Sequence, residues 1–261
     1  MLPYVHFAGR DIPVYSLAAA AGIIAAVIYL KRMVKREQFR DLDRYLELAF
    51  LAALLGTAIG AKLLYLIIEA GNIIRDVSAL GAAETIYKNM AGGFVMYGGM
   101  IGCFAALYLY SRRAKLSFSH LLSLMLPAFP LAHAIARCGC FATGCCYGRE
   151  THSFFAVTYK ESLFAPAGVP LVPVQLIEAF LELVFFVLLY RDSKKGMPGS
   201  KMLAKYLLMY GCARFMLEFL RGDMSRGFIG IFSVSQVISI ICIAAGTIIL
   251  IKSGKETQSI L

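Results

Sequence analysis

The sequence predicts an all-α polytopic membrane protein of about seven transmembrane helices with a small extracytoplasmic cap, and three observations predict it. The apolar fraction is 59% against 16% charged, with a mean hydropathy of +0.71, whereas soluble domains have apolar content nearer half and charge near a quarter. Apolar runs recur at the length that suits a bilayer, about 17–25 residues for ~30 Å of hydrocarbon at ~1.5 Å per residue. The net charge of +10 sits mostly in alternate short loops, the placement expected of cytoplasmic connections.

The first run, 14–30, reads as a retained helix, since no basic region precedes it and no small-residue cleavage site follows it. Runs at 45–68, 93–110, 119–136, 172–190, 202–220 and 231–251 complete the set of spans. Lys31, Arg32, Lys35, Arg36, Arg40 and Arg44 fill the first loop; Arg112, Arg113 and Lys115, then Arg191, Lys194, Lys195 and Lys201, then Lys252 and Lys255 mark the others on that side. The N-terminus is therefore expected outside and the C-terminus in the cytoplasm, with 69–92, 137–171 and 221–230 on the outer face. Residues 137–171 form the expected cap, and 1–261 reads as a single membrane domain without internal repeats. Basic charge placed this way implies a membrane and not nucleic acid as the partner.

Polar groups inside apolar spans are costly and mark sites. Arg214, Glu218 and Arg221 recur at i, i+4 and i+7, one face of a helix, with Tyr206 and Tyr210 on the same stripe. Two guanidiniums against one carboxylate leave an excess positive charge, which suits the phosphate of an anionic lipid. Gln175, Glu178 and Glu182 form a second stripe just after Pro173. From Gly92 to Gly102, five glycines in eleven residues surround Tyr97. That density serves either a tight helix crossing or a lipid head group at main-chain N–H groups of Gly98 and Gly99.

The stretch from His133 to Arg149 places Cys138, Cys140, Cys145 and Cys146 among Arg137 and Arg149. Three uses stay open: a disulfide joining Cys140 to Cys145 or Cys138 to Cys146, a soft metal site with His133, or a thiol activated by the two arginines. The structural bridge between Cys140 and Cys145 is the favoured one, and no metal or other cofactor is assigned. Cys103, Cys212 and Cys242 read as packing residues, and His152 as a reserve proton carrier beside Arg149.

In order along the chain, Tyr15, Gly60-Ala61-Lys62, Gly92 to Gly102, Arg137 to Arg149, Pro173 to Glu178, Tyr210 to Arg214 with Glu218 and Arg221, and Ser235-Gln236 make a set that resembles the bacterial prolipoprotein diacylglyceryl transferases. The resemblance implies a seven-span enzyme of the bacterial plasma membrane. Such an enzyme moves the diacylglyceryl group of phosphatidylglycerol to a prolipoprotein cysteine and releases glycerol phosphate. By position, Arg137 matches the signature arginine, Gly139, Phe141, Gly144 and Gly148 its framework, Arg214 and Glu218 the essential arginine and its glutamate, and Gln175 and Glu178 the Pro-x-Gln-x-x-Glu motif. The chain departs from the family where Tyr97 stands for a histidine, Cys140 for an asparagine, Cys145 for a glutamate and Lys62 for an arginine.

Two function classes follow. In the first, a membrane transferase takes an anionic phospholipid, phosphatidylglycerol, and a thiol acceptor, a prolipoprotein cysteine or another. Tyr97, Arg137, Arg214, Glu218, Tyr210, Cys140 and Cys145 would act in catalysis, and Gly98, Gly99, Gln175, Glu178, Arg221 and Arg149 would bind substrate. The second is a non-enzymatic lipid-binding or transport protein on the same scaffold.

Overall fold

A computed structural model describes residues 4–7, 10–34, 43–81, 84, 89, 93, 95–162, 164–223 and 227–258. Lys35, Arg36, Arg40 and Gly92, singled out above, lie outside them. The described chain is mostly helical and divides into two compact units, residues 1–33 with 122–261, and residues 34–121.

The smaller unit is a helix pair. Its α2 (Asp43–Ile68) runs into the short α3 (Ala70–Leu80) and packs along α4 (Met96–Arg113). Glycines decide that contact. A Cβ at Gly60 would lie 2.2 Å from the carbonyl oxygen of Gly98, and one at Gly102 would lie 2.1 Å from that of Gly56. The two backbones thus touch directly, which explains the glycines inside α4. Gly98 and Gly99 both turn toward α2, Gly99 against Thr57. The helix α3 is absent from the sequence expectation, which left 69–92 as an outer segment; Ile73, Ile74 and Val77, at i, i+1 and i+4, are its signature.

The larger unit opens on a hairpin, β1 (Tyr4–Phe7) with β2 (Arg10–Pro13), and runs into α1 (Val14–Val34). After α5 (Phe118–Met125) the chain turns at Leu126 and Pro127 into α6 (Ala128–Thr143), so the run expected at 119–136 is two helices. A proline carries no N–H, which favours a helix starting there over one continuing through. Beyond that, α6 runs on to Thr143 and takes Arg137, Cys138 and Cys140 into the helix instead of the expected cap. It stops at Gly144, whose φ of 74° is the left-handed conformation glycine adopts without penalty, with its N–H bonded to the carbonyls of Cys140 and Phe141. Two short strands, β3 (Val157–Thr158) and β4 (Pro170–Leu171), then pair around a small core of Tyr159, Ala165 and Leu171. Helices α7 (Val174–Lys194) and α8 (Gly199–Glu218), the hairpin β5 (Phe228–Ile229) with β6 (Phe232–Ser233), and α9 (Val234–Gln258) complete the unit.

Four stretches among the described residues are long and apolar enough to cross a membrane: Val14–Met33, Tyr45–Ile68, Phe118–Thr143 and Val234–Ser253. The remaining expected spans are also helices, of 18, 21 and 20 residues (α4, α7 and α8), but α7 and α8 carry charge along their length. Large apolar side chains point outward, among them Ile67, Ile101, Phe180 and Met216, while Gln175, Glu178, Glu182, Arg214 and Glu218 are buried. Apolar groups outside and charges inside are what a hydrocarbon solvent selects.

Candidate functional site

Helices α6, α7 and α8 of the larger unit bring the two polar stripes together. Arg137, on α6, places Nη2 2.8 Å from Glu178 Oε1 on α7. From α8, Arg214 reaches the other oxygen of Glu178 with Nη1 at 3.8 Å, and Glu218 Oε2 with Nη2 at 3.1 Å. Nη2 of Arg214 also donates to Ser235 Oγ at 2.9 Å, at the start of α9. Glu178 is thus the carboxylate shared by both arginines. Arg214 is 7% exposed, and its Nη1 is buried without a hydrogen bond among the described residues. A buried guanidinium nitrogen with only that longer ion pair has donor capacity to spare.

Sequence reasoning treated His133 only as a soft ligand, yet it joins this network. Its Nδ1 lies 2.8 Å from Glu182 Oε1, and its Nε2 accepts from Arg137 Nε at 3.2 Å. Tyr206 donates to Glu182 Oε2 at 3.3 Å, and Tyr210 stacks on Tyr206 with ring centroids 5.8 Å apart. Tyr210, Glu178, Glu182 and Arg214 share one crevice. The available sequence signal was the spacing of His133 and Arg137, i and i+4 on one face of α6. The expected excess of positive charge is corrected by the same geometry. Glu178 and Glu218 face Arg137 and Arg214, and Glu182 faces His133, so the buried network sets three carboxylates against two guanidiniums and an imidazole.

Arg221 leaves the stripe. It lies past the end of α8, its backbone bridges to Gly148, and its side chain pairs with Asp223, Nε to Oδ1 at 2.8 Å. Burial works against its charge, but the hydrogen bond to Asp223 and the nearby Cys146 hold the guanidinium above its ordinary range. Arg149 is exposed, and its backbone is what the fold uses, N–H to Leu220 O at 2.8 Å. The cations beside the thiols are therefore Arg137 and Arg221, and not Arg137 and Arg149 as expected.

Cys140, at the end of α6, and Cys145 and Cys146, just after it, are free thiols, with Cys145 Sγ directed at the Cys140 carbonyl at 3.7 Å, so the bridge expected between Cys140 and Cys145 is not made. Cys138 points away and is exposed. Gln175, only 1% exposed, ties this loop to α7 by donating from Nε2 to Cys145 O at 2.7 Å and to the Tyr159 hydroxyl at 3.4 Å. Burial pushes the Tyr159 phenol up to about 12, so it stays neutral. Tyr97 begins α4 in the smaller unit, half-buried; nearby, Lys62 donates to the carbonyls of Asn89 and Gly93, and Tyr65 to Asn89 Oδ1 at 2.8 Å.

Comparison with known proteins places these residues in context. A family model described as prolipoprotein diacylglyceryl transferase matches residues 4–252. The phosphatidylglycerol–prolipoprotein diacylglyceryl transferase of Clostridium tetani is 35% identical over 240 residues, 91% of this chain and 92% of that protein. A Clostridium perfringens protein named as a second such transferase is 33% identical over 254 residues, 95% of each. The Methylococcus capsulatus protein of the same name is 30% identical over 259 residues, 94% of this chain and 92% of its own.

Proposed function

The chain belongs to the prolipoprotein diacylglyceryl transferase family, and from that premise we propose that it moves the diacylglyceryl group of phosphatidylglycerol onto the cysteine thiol of a prolipoprotein. The observation that carries the assignment to particular residues is the buried pair of guanidiniums sharing Glu178, with Arg214 Nη1 held only by its 3.8 Å ion pair and no hydrogen bond among the described residues. In the transfer, a C–S bond forms at the terminal glyceryl carbon as the C–O bond to phosphate breaks. The electron pair leaves with glycerol phosphate, and the thiol proton must go to a base. Arg214 and Arg137 are assigned to the phosphate, where planar forks match its oxygens and negative charge grows. Glu178 and Glu218 hold those forks in register, and Tyr210 borders the same crevice. His133 is assigned the proton: its Nδ1 lies 2.8 Å from Glu182 Oε1, and its Nε2, which accepts from Arg137 here, is freed as that fork turns to phosphate. Lipid binding without transfer is the less favoured reading, since the relatives are named as transferases.

The purified protein with labelled phosphatidylglycerol and a lipobox peptide should release labelled glycerol phosphate and add a diacylglyceryl mass to the peptide. Retention of both substrates unchanged would reduce the function to binding. In that assay His133→Asn should lower kcat by about 10²–10⁴-fold with KM for the lipid little changed. A variant that raises KM alone would give His133 a binding role instead.

Seven spans with the N-terminus outside and the C-terminus in the cytoplasm of a bacterial cell follow from the loop charges, supported by helices over all of the expected runs. A cysteine reporter placed in 191–201 should then be shielded from impermeant reagents in intact cells, and one in 160–168 labelled. The opposite pattern would invert the orientation.

A further inference from the structure

Two carboxylates hold the charge of Arg214, and a serine holds its direction. Among the described residues, the one hydrogen bond from this guanidinium runs from Nη2 to Ser235 Oγ at 2.9 Å, while Glu178 and Glu218 meet it as ion pairs at 3.8 Å and 3.1 Å. An ion pair depends mainly on distance and tolerates rotation of the planar group, whereas a hydrogen bond weakens steeply off its axis. Ser235 is in turn fixed by the fold. The buried Ser233 accepts at Oγ from the Gln236 N–H at 3.2 Å, and the Gln236 side chain accepts from the Ser233 N–H at 3.0 Å. That reciprocal cap sets the first turn of α9, where Ser235 lies half-buried and takes no part in the cap. One turn on, Ser239 Oγ donates to the Ser235 carbonyl at 2.8 Å. Gly211, three residues before Arg214 on α8, lets the two helices close up: a Cβ there would lie 2.8 Å from the Ile243 side chain and 3.0 Å from the Ser239 carbonyl oxygen. Arg214 leaves nearly the same face of α8 as Gly211 and so meets the start of α9.

We propose that Ser235 is a positioning residue of the transfer, holding the Arg214 fork so that Nη1 is the edge presented to the lipid phosphate. The inference rests on the reading of Arg214 as a phosphate ligand. Nη2 is engaged within the protein, by Ser235 and Glu218, while Nη1, buried with only its longer ion pair to Glu178, keeps a donor for phosphate. Ser235 acts through Arg214 and not on the reacting atoms. Without its hydroxyl the guanidinium keeps its charge and both carboxylates, but its plane is free to turn. A misdirected fork slows the step in which charge grows on the phosphate. Binding of the lipid changes less, because burial of its acyl chains supplies most of that affinity.

The test uses the full chain in lipid nanodiscs. Ser235→Ala should lower kcat for glycerol phosphate release by about 10–10²-fold, with KM for phosphatidylglycerol and the thermal midpoint little changed, and Ser235→Thr, which keeps the oxygen, should recover most of the rate. In an Arg214→Ala background the same serine change should cost less than about 2-fold, because the group it positions is gone. An unchanged kcat in Ser235→Ala, a loss of equal size in both backgrounds, or a loss that follows a lowered thermal midpoint would overturn the proposal. Binding of glycerol phosphate gives a readout independent of turnover: Ser235→Ala should weaken it by about 10-fold, and should leave it unaltered when Arg214 is alanine. A chain that shows this binding pattern without turnover would sink the transferase reading and leave the placement of Arg214 by Ser235 standing; equal binding with and without the Ser235 hydroxyl would sink the placement itself.

Discussion

Arg214→Lys is expected to lose transfer almost as fully as Arg214→Ala, each by about 10²–10³-fold in kcat, the scale for removing a preorganised donor at developing charge. The side chain makes three connections in different directions, to Glu178 at 3.8 Å, Glu218 at 3.1 Å and Ser235 at 2.9 Å. An ammonium retains the charge but has no planar fork with which to span them. The alanine variant leaves Glu218 and half of Glu178 uncompensated in a buried setting, which costs about 3–5 kcal/mol of stability. Lysine should recover most of that stability and little of the activity. Glycerol phosphate release measured beside the thermal midpoint separates the two effects. Near-normal turnover in the lysine variant would refute the bidentate role.

The second large effect is structural and lies in the smaller unit. Gly102→Ala should destabilise the α2–α4 pair by about 1–3 kcal/mol or more, because the new methyl would lie 2.1 Å from the Gly56 carbonyl oxygen and 2.9 Å from the Gly60 Cα. Both obstacles are backbone, so relief requires the helices to separate along their contact. Gly71→Ala, in α3, meets nothing within 4 Å and should be neutral or stabilising, by up to about 1 kcal/mol, through reduced chain entropy alone. Thermal unfolding of the two variants in the same detergent provides the comparison. Equal behaviour of the two would mean that backbone contact does not hold the pair.

Run lengths in the sequence placed helices over the expected runs, though not the short α3 or the break at Pro127, because hydrocarbon thickness sets span length whatever the neighbours are. Helical periodicity was likewise enough to put Arg214 with Glu218, and Gln175 with Glu178 and Glu182, on single faces, since those spacings belong to one element. The partner across each face was not legible. Periodicity leaves the rotation of a helix about its axis undetermined, and packing of α6, α7 and α8 fixed it so that Glu178 meets Arg137 and Arg214 together. That rotation also brought in His133 and Glu182, reversed the expected excess of positive charge, and bonded Gln175 to a carbonyl 30 residues away. The end of α6 escaped the sequence reading for a related reason. Its polar last turn resembles a loop in composition, and it stays helical because α7 supplies Glu178 as partner to Arg137 and Gly144 caps the turn. By itself the sequence determined the fold class, the family and one face of each stripe, all set within single helices; the tertiary structure decided which charges meet, because those pairings join residues far apart in the chain.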